Sequence, residues 1–366
     1  MMQPDKIGFI GLGLIGGAIA KTIHRVYPDI SLIAYDIDTV SLSLALEEGV
    51  LTNAYDIISD DFASCRYIFL CAPVQKNAEF LAKLSKFAGE SCIITDVGSV
   101  KNSIHQDIVG TNMEPYFIGG HPMAGSEKSG YTNSTPYLLE NAYYILTPTE
   151  QTIPKIITEF QEFIRSLGAI PLIMDYREHD YATAAISHLP HILAFTLVNL
   201  VKKLDNSEET MKTIAAGGFR DITRVASSSP AMWQQICLAN QEQILKLIDA
   251  FIEALSNIKQ NIATQNESEL FQFFQSAKDY RDSFSLKSSG AISKSYEIYC
   301  DLVDETGGIA TLATILAKNR ISIKNIGIIH NREFQDGVLH IEFYEEESLQ
   351  KALVLLRDYH YTVYER

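Results

Sequence analysis

Apolar runs about the length of a buried strand alternate with helix-length stretches over the first part of this 366-residue chain. Strands that alternate with helices predict a parallel sheet covered by helices on both faces. We therefore predict an α/β fold with a doubly wound sheet over residues 1–172. The six runs are KIGFIG, SLIAYD, YIFLCAPV, SCIITDVGSV, YFIGGHP and AYYILTP.

From about Arg177 to Asp282 the strand-like runs stop, and apolar residues recur at helical spacing. This pattern predicts an all-helical domain over residues 173–284. Residues 182–201 hold enough apolar positions to span a bilayer, but two histidines, a proline and an asparagine interrupt them and no second such run exists. We interpret this stretch as a buried interface helix.

The last segment begins after a serine-rich stretch, SFSLKSSGAISKS, which predicts a flexible linker over residues 285–295. Residues 296–366 then follow the order strand, helix, strand, strand, helix, strand. That order predicts a small α+β domain of the ferredoxin-like kind. A core of this size is near the lower limit for independent stability, which favours pairing with another copy through a sheet edge or a helix face.

The chain carries 30 basic and 45 acidic residues, a formal charge of −15. Nucleic acids and anionic membrane surfaces are held mainly by clustered lysine and arginine, so this charge disfavours both and favours a small-molecule partner. The five cysteines are widely spaced and form no CxxC pair, which predicts buried thiols in a reducing compartment and no metal centre. The N-terminus enters a strand-like pattern at once, so we expect a cytoplasmic protein without a signal peptide.

The pattern GLGLIG lies between the first strand and a helix-forming stretch, in the context of a Rossmann-type dinucleotide site. Gly11 permits the tight turn, Gly13 lets the backbone approach a pyrophosphate, and Gly16 lets helix and strand pack closely. Asp36 lies twenty residues after Gly16 at the end of the second strand, where a carboxylate bonds a ribose 2′-hydroxyl. The absence of an arginine directly behind Asp36 favours NAD over NADP. The alternative is a tight turn that binds nothing.

Two loops at later strand ends are candidates for chemistry, since ligands of open α/β sheets bind beyond the carboxyl ends of the strands. They are ITDVGSVK, with Ser99, and GGHPMAGSEKSG, with His121. A histidine followed by proline and then by AGS predicts that a loop, not a strand or helix, presents the imidazole. His121 could accept a proton from a substrate hydroxyl during hydride removal, with Ser99 orienting it. Taken alone, a histidine is more often structural, but the glycine-rich surroundings and the preceding cofactor site favour the catalytic interpretation.

The helical block contains two further groups of chemically capable residues. His188 and His191 share a helix face, where packing or anion binding is favoured over a metal pair. Asp221 and Arg224 also share a face, either as a surface ion pair or with Arg224 clamping a substrate carboxylate. Trp233 is the only tryptophan, and we assign it first to an interface.

Six segments of the chain together resemble the prephenate/arogenate dehydrogenase family, and the resemblance extends over the whole sequence. It implies NAD-dependent oxidative decarboxylation of prephenate to 4-hydroxyphenylpyruvate on the route to tyrosine. It also implies a homodimer interlocked through the helical block. The segments are GLGLIG, CAPV, DVGSVK, HPMAGSEKSG, SHLPH and GGFRDITRVA.

The resemblance assigns roles to individual residues. His121 would hydrogen-bond the ring hydroxyl together with Ser99, and Arg224 would bind a substrate carboxylate in a pocket lined by His191. The other expected substrate-site residues are Asp221 and Glu127, which shape the site, Gly217, and Trp233, which reaches it from the partner subunit. The expected cofactor-binding residues are Gly11, Gly13, Leu14, Ile15, Gly16, Asp36, Ala72 and Pro73.

The C-terminal segment resembles an ACT domain, a module that binds amino acids at its pairing interface. The match is looser here, because DETGG at residues 304–308 lacks the proline common before the first helix. The resemblance implies that tyrosine binds between paired copies near Gly308 and Asn325 and inhibits the enzyme. It also leaves room for further association of dimers through these domains.

Other functions stay open at this point. An arogenate dehydrogenase or a mixed cyclohexadienyl dehydrogenase is the first alternative, since both substrates share the ring. A hydroxyacid or imine reductase fits the HPMAGSE and FRDITR segments less well. A non-catalytic nucleotide sensor is a further alternative, which the combined presence of Ser99, His121 and Arg224 disfavours.

Overall fold

The computed structural model describes residues 5–87, 89, 92–125, 128–285, 296–302, 307–329 and 337–365. The chain divides into two compact units, Met1–Asn266 and Glu267–Arg366. The linker predicted at residues 285–295 lies outside the described residues except for its first position.

The first unit is built on one eight-stranded sheet with the order β3-β2-β1-β4-β5-β6-β7-β8. Its strands are β1 Lys6–Ile10, β2 Ser31–Tyr35, β3 Asn53–Tyr55, β4 Tyr67–Leu70, β5 Ile93–Asp96, β6 Phe117–Pro122, β7 Tyr143–Pro148 and β8 Ile170–Ile173. All six runs singled out in the sequence are strands, and the doubly wound fold is confirmed.

The prediction of a parallel sheet is wrong at one junction. Strands β1 to β6 are parallel to one another, whereas β7 runs antiparallel to β6 and β8 runs parallel to β7. A parallel neighbour requires a crossover of a dozen or more residues, usually a helix. The described residues between β6 and β7 form only a short 3-10 turn at Tyr131–Asn133, so β7 returns beside β6 in the opposite direction.

Helices cover both faces of this sheet because its strands bury side chains on both sides. Along β1, Ile7 and Phe9 join one apolar core, and Ile10 joins the other. The helices are α1 Leu14–Val26, α2 Thr39–Glu47, α3 Asn77–Leu84, α4 Asn102–Ile108 and α5 Pro154–Ser166. The carboxyl ends of β1, β2, β4, β5 and β6 therefore meet at one edge of the sheet.

The segment after β8 is helical, as predicted. Its elements are α6 Tyr176–Thr183, a π-helical turn at Ala184–His188, α7 Leu189–Leu204, α8 Thr210–Ile214, α9 Gly217–Thr223, α10 Pro230–Ala239, α11 Gln241–Ala263 and α12 Glu267–Asp282. Residues 176–204 form one continuous helix that meets the length and apolarity criteria for crossing a bilayer, as buried helices of soluble proteins also do. Only 17% of its most apolar window is buried within the chain.

Pro190 accounts for the π-helical turn. Proline has no N–H to donate to the carbonyl four residues earlier, and its ring crowds that carbonyl. The helix responds by widening, and the N–H of Leu189 bonds the carbonyl of Ala184 five residues back. Turns of this kind occur frequently at functional sites.

The C-terminal segment has the predicted βαββαβ order. Its elements are β9 Tyr296–Leu302, α13 Gly308–Lys318, β10 Ile323–Ile329, β11 Gly337–Phe343, α14 Glu346–Asp358 and β12 Val363–Glu365. The strands pair antiparallel in the order β10-β11-β9-β12. One face of the sheet packs against α13 and α14, with Ile298, Leu312 and Leu353 in the shared core.

Candidate active site

The glycine-rich turn after β1 has the shape that a dinucleotide requires. Gly11 has φ +99°, and a Cβ there would lie 2.7 Å from the main-chain nitrogen of Ala72. A Cβ on Gly16 would lie 2.6 Å from the carbonyl oxygen of Gly11. At Gly13, by contrast, nothing lies within 4 Å of the position a Cβ would take. Packing thus requires two of the glycines, and the third leaves open space for a ligand to approach.

The N-terminus of α1 lies directly beyond this open space. Gly13 is its N-cap residue and has no side chain that could accept a hydrogen bond. The first N–H groups of the helix, from Leu14 and Ile15 onward, therefore have no side-chain acceptor from the cap. Such groups and the helix dipole favour a phosphate. Pro73 follows Ala72 in the loop after β4, and both lie at the same edge of the sheet.

Asp36 binds the glycine-rich turn to the end of β2. Its Oδ2 accepts the N–H of Leu12 at 2.5 Å, and its Oδ1 accepts the N–H of Asp38 at 2.8 Å. A carboxylate has about four lone-pair sites, so acceptor capacity is left for a ribose hydroxyl. A hydrogen bond from Ser41 lowers the pKa of Asp38, two residues beyond Asp36, and this second carboxylate also disfavours a 2′-phosphate. The residues present fit NAD.

The structure corrects the expected setting of His121. The histidine lies in β6, not in a loop, and it is in register with Ile145 of β7. Pairing continues to Pro122 opposite Tyr144, so β7 supports the strand beyond the point where the HP dipeptide predicted its end. His121 is therefore presented from a rigid element.

Behind His121 lies a chain of hydrogen-bonded groups that sequence reasoning missed. The Nδ1 of His121 is 2.8 Å from the Nε2 of His179, and the Nδ1 of His179 is 2.8 Å from a carboxylate oxygen of Asp180. The carboxylate is an acceptor, so His179 carries its proton on Nδ1 and accepts at Nε2. His121 must then donate from Nδ1, which leaves its Nε2 as the unprotonated nitrogen.

The surroundings also keep His121 neutral. Burial, followed by the electrostatic effects of His179, Lys101 and His188, holds the pKa of His121 well below its usual range. A general base must be unprotonated to act. His121 therefore combines the tautomer and the charge state that proton abstraction requires.

Asp180 is itself fixed by main-chain groups. Its two carboxylate oxygens accept the N–H groups of Lys101 and Asn102, each at 2.8 Å, at the start of α4. Asp180 and His179 lie in the charged stretch REHDY, whose polar character is typical of an exposed helix. Both are buried, with 2% and 0% exposure, and only the fold shows this.

Ser99 lies in the loop between Asp96 and Lys101, after β5. This loop and His121 are at the carboxyl ends of neighbouring parallel strands. The contact expected between the two side chains stays a prediction.

His191 and Trp233 form a second group, in the helical segment. Their rings stack with centroids 3.9 Å apart. The Nδ1 of His191 donates to the carbonyl of Ser187 at 2.9 Å, within the turn that Pro190 widens, so Nε2 is left to accept. Trp233 is buried, and its Nε1 has no hydrogen-bond partner among the described residues. The stacking is made within one chain, whereas the contribution of Trp233 to the partner's site stays a prediction.

His188 has the contacts of a packed group. It is buried beside the ring of Trp233 and lies 3.2 Å from the amide nitrogen of Asn240. Burial lowers the pKa of His188 to about 4, so it is a neutral packed group. Among the described residues, the group of possible metal ligands close enough together lies elsewhere, in the second unit: Glu297, His340 and Glu342.

Helix α9 and the 3-10 turn that follows it carry three more predicted substrate residues, Gly217, Asp221 and Arg224. A Cβ on Gly217 would lie 3.9 Å from a carboxylate oxygen of Asp221, so these two positions are adjacent. The turn that begins at Arg224 packs on α7, the helix that carries His191. Gly217, Asp221 and Arg224 are exposed within the single chain. Glu127 lies outside the described residues.

Comparisons with known proteins agree with this architecture. Residues 19–171 match the nucleotide-binding domain of prephenate dehydrogenase, and residues 175–276 match its dimerization domain. The chain is 39% identical to a prephenate dehydrogenase of Bacillus subtilis (strain 168) over 350 residues, 95% of this chain and 94% of the relative.

Solved structures show the same likeness. Prephenate dehydrogenase from Aquifex aeolicus, in complex with hydroxyphenyl propionate and NAD⁺, has a TM-score of 0.72 and 33% identity, covering 77% of this chain and 99% of the other. Arogenate dehydrogenase from Synechocystis has a TM-score of 0.67 and 30% identity, covering 76% and 99%. Three observations agree: the matches to both family domains, the relative that aligns over nearly its whole length, and the glycine-rich turn shaped for NAD. The chain therefore belongs to the prephenate dehydrogenase family of NAD-dependent oxidoreductases.

Proposed function

We propose that this protein converts prephenate and NAD⁺ into 4-hydroxyphenylpyruvate, CO₂ and NADH in tyrosine biosynthesis. The observation that carries the proposal is the chain His121, His179 and Asp180 at the end of β6. It provides a neutral imidazole with Nε2 unprotonated at the sheet edge where the NAD-shaped turn lies. A cytoplasmic location fits such a biosynthetic enzyme.

In this reaction Nε2 of His121 accepts the proton of the ring hydroxyl as a hydride leaves the ring carbon that carries this hydroxyl. NAD⁺ supplies the acceptor for that hydride when it is bound. The imidazolium that forms is stabilised by Asp180 through His179, as an aspartate stabilises histidine in other triads. Loss of the ring carboxylate as CO₂ leaves its bonding pair in the ring, which becomes aromatic, and His121 returns the proton to the phenolic oxygen.

The substrate is a dianion, and the protein has a formal charge of −15. Its binding therefore needs positive and donor groups concentrated locally. We assign one substrate carboxylate to Arg224, whose planar guanidinium suits bidentate binding. The Nε1 donor of Trp233 and the ring of His191 line the same pocket, with Gly217, Asp221, Glu127 and Ser99 completing it.

A direct assay of NADH formation determines which substrate the protein uses. Prephenate and NAD⁺ should yield NADH, followed at its absorbance band, together with a keto acid product. Arogenate is measured side by side, because a solved relative is an arogenate dehydrogenase and both substrates carry the same ring. A kcat/KM higher for arogenate would make this chain an arogenate or cyclohexadienyl dehydrogenase, and no NADH from either would overturn the proposal.

We further propose that the protein is a homodimer assembled through residues 173–284. In this assignment residues 1–172 bind NAD, and residues 296–366 regulate the activity. The match to a dimerization domain supports the first part. Apolar side chains on α11 support it too, since Leu245, Ile252 and Leu255 are about half exposed in the single chain. Light scattering should give twice the chain mass of 40.8 kDa, or a multiple of it if the C-terminal units associate.

Tyrosine is the proposed effector of the C-terminal unit, which we assign as an ACT-like domain. Gly308 is the first residue of α13, whose N-terminus has no side-chain cap and follows Gly307 at φ +92°. Asn325 lies on β10, an edge strand of the sheet, and its side chain is exposed. An amino-acid carboxylate suits an uncapped helix N-terminus, and an edge strand is suited to pairing with a second copy.

A further inference from the structure

Lys101 is a fully buried lysine, with 0% exposure. Its Nζ forms an ion pair with the carboxylate of Asp96 and donates to the carbonyl of Gly120 at 2.6 Å. Burying two charges carries a large desolvation cost, and apolar residues of similar volume are often as stable. Stability alone therefore does not account for the pair.

The pair lies where the main-chain register between β5 and β6 ends. These strands are in register only at Ile94 with Phe117 and at Thr95 with Ile118. Two residues further along β6, the N–H of Gly120 donates to Asp96 at 3.1 Å, and the carbonyl of Gly120 accepts from Lys101. Asp96 and Lys101 thus hold both main-chain groups of the residue that precedes His121.

The main chain of Lys101 contacts the other side of His121. Its N–H donates to Asp180 at 2.8 Å, and Asp180 holds the ring of His179 that bonds His121. Residue 101 therefore touches the strand that carries the catalytic ring and also the groups behind that ring.

We infer that Lys101 is a positioning residue for His121: its side chain fixes the end of β6, and its main chain fixes the aspartate behind the histidine pair. The inference takes its substrate from the proposed function, but the placement of His121 can be measured without substrate. Lys101 acts through Gly120 and Asp180 and is buried away from solvent. A 1 Å misplacement of a reacting group can cost about 10²-fold in rate.

Lys101 also contributes charge. Besides burial, the positive charge of Lys101 lowers the pKa of His121. Removing that charge raises the pKa of His121 and moves the acid limb of kcat/KM to higher pH, because only the neutral ring accepts a proton. The other ionisable groups around His121 come from the end of β5, from α6 and from the π-helical turn; they are Asp96, His179, Asp180 and His188.

The test compares Lys101→Met, Asp96→Asn and the double variant with wild type, and Lys155→Met, an exposed lysine on α5, is the matched control. We expect Lys101→Met to lower kcat about 10²-fold and to shift the acid limb upward, with NADH binding and the KM for prephenate changed by less than about threefold. The double variant leaves no unpaired buried charge and is expected to fold, yet it should stay slow because the bond to Gly120 is still missing.

Two results would overturn the inference. One is a folded Lys101→Met variant with wild-type kcat and acid limb. The other is recovery of kcat in the double variant, which would show that Lys101 only neutralises Asp96. Imidazole ¹⁵N resonances, with His121 assigned from His121→Asn, report its tautomer and titration without substrate. A change in these His121 resonances in Lys101→Met supports the inference even if wild type fails to oxidise prephenate. The role of Lys101 and the proposed function can therefore be refuted independently.

Discussion

At the scale of single residues, the chemistry of His121 is decided by groups distant in the chain. His179 is 58 residues away, yet its ring determines which nitrogen of His121 carries the proton. Asp180 in turn orients His179. An isolated histidine titrates near neutrality, whereas the half-buried ring of His121 stays neutral and accepts a proton at Nε2.

Replacing His121 by asparagine should remove the base and keep the fold. Asparagine keeps a polar group near Nδ1 but cannot take the proton, so we expect kcat to fall by about 10²- to 10⁴-fold with NADH binding unchanged. Stopped-flow or steady-state NADH formation and NADH fluorescence measure the two quantities. His360→Asn is the control, since His360 has φ +67°, a conformation that asparagine tolerates. Near-normal turnover in His121→Asn would contradict the assignment.

At the scale of elements, two irregularities place the site. Strand β7 returns antiparallel to β6 and extends it through His121, which the HP dipeptide alone disfavours. The π-helical turn at Ala184–His188 widens the long helix immediately before α7 begins. Because an α-helix advances about 100° per residue, the extra residue in that turn sets the direction in which His191 points.

Replacing Pro190 by alanine tests this turn. Alanine restores an N–H that can bond the carbonyl of Ile186, which favours ordinary helix and rotates His191 away from Trp233. We expect the KM for prephenate to rise about tenfold, worth about 1.4 kcal/mol, with NADH binding unchanged. Pro154→Ala is the matched control, since that proline lies at the start of α5 where its missing N–H costs little. An unchanged KM in Pro190→Ala would show that the π-helical turn does not position His191.

Much of this element pattern could be predicted from local sequence, since the six apolar runs and the βαββαβ order are periodic signals within short windows. The direction of β7 could not, because it depends on which neighbour the strand finds in the sheet. His179 and Asp180 could not either, because their charged neighbours favour an exposed helix and only packing against α4 buries them.

At the scale of the whole molecule, the chain joins a catalytic unit to a small α+β unit that we assign to regulation. We expect tyrosine to inhibit NADH formation, and Asn325→Ala to weaken that inhibition about tenfold or more without changing kcat. The reason is that an exposed amide on an edge strand can contact a ligand between paired copies while lying outside the catalytic machinery. Inhibition curves for wild type and the variant give the measurement.

Lys351→Met, on the exposed face of α14, is the control for a surface change in the same unit. If tyrosine inhibits wild type and Asn325→Ala equally, the effector binds elsewhere. If tyrosine does not inhibit wild type at all, the C-terminal unit has another role.

Six of the eight strands in the first sheet, the helical segment after them, the glycine-rich turn and the carboxylate at Asp36 could be inferred from sequence, because each depends on residues within a short window. The short strands β3 and β8 were missed. The sequence also pointed to His121 through its motif. The groups that surround that histidine are visible only in the folded chain. His179, Asp180 and the buried pair of Asp96 and Lys101 come from separate segments, and their hydrogen bonds exist only once β5, β6, α4 and α6 pack together and exclude water.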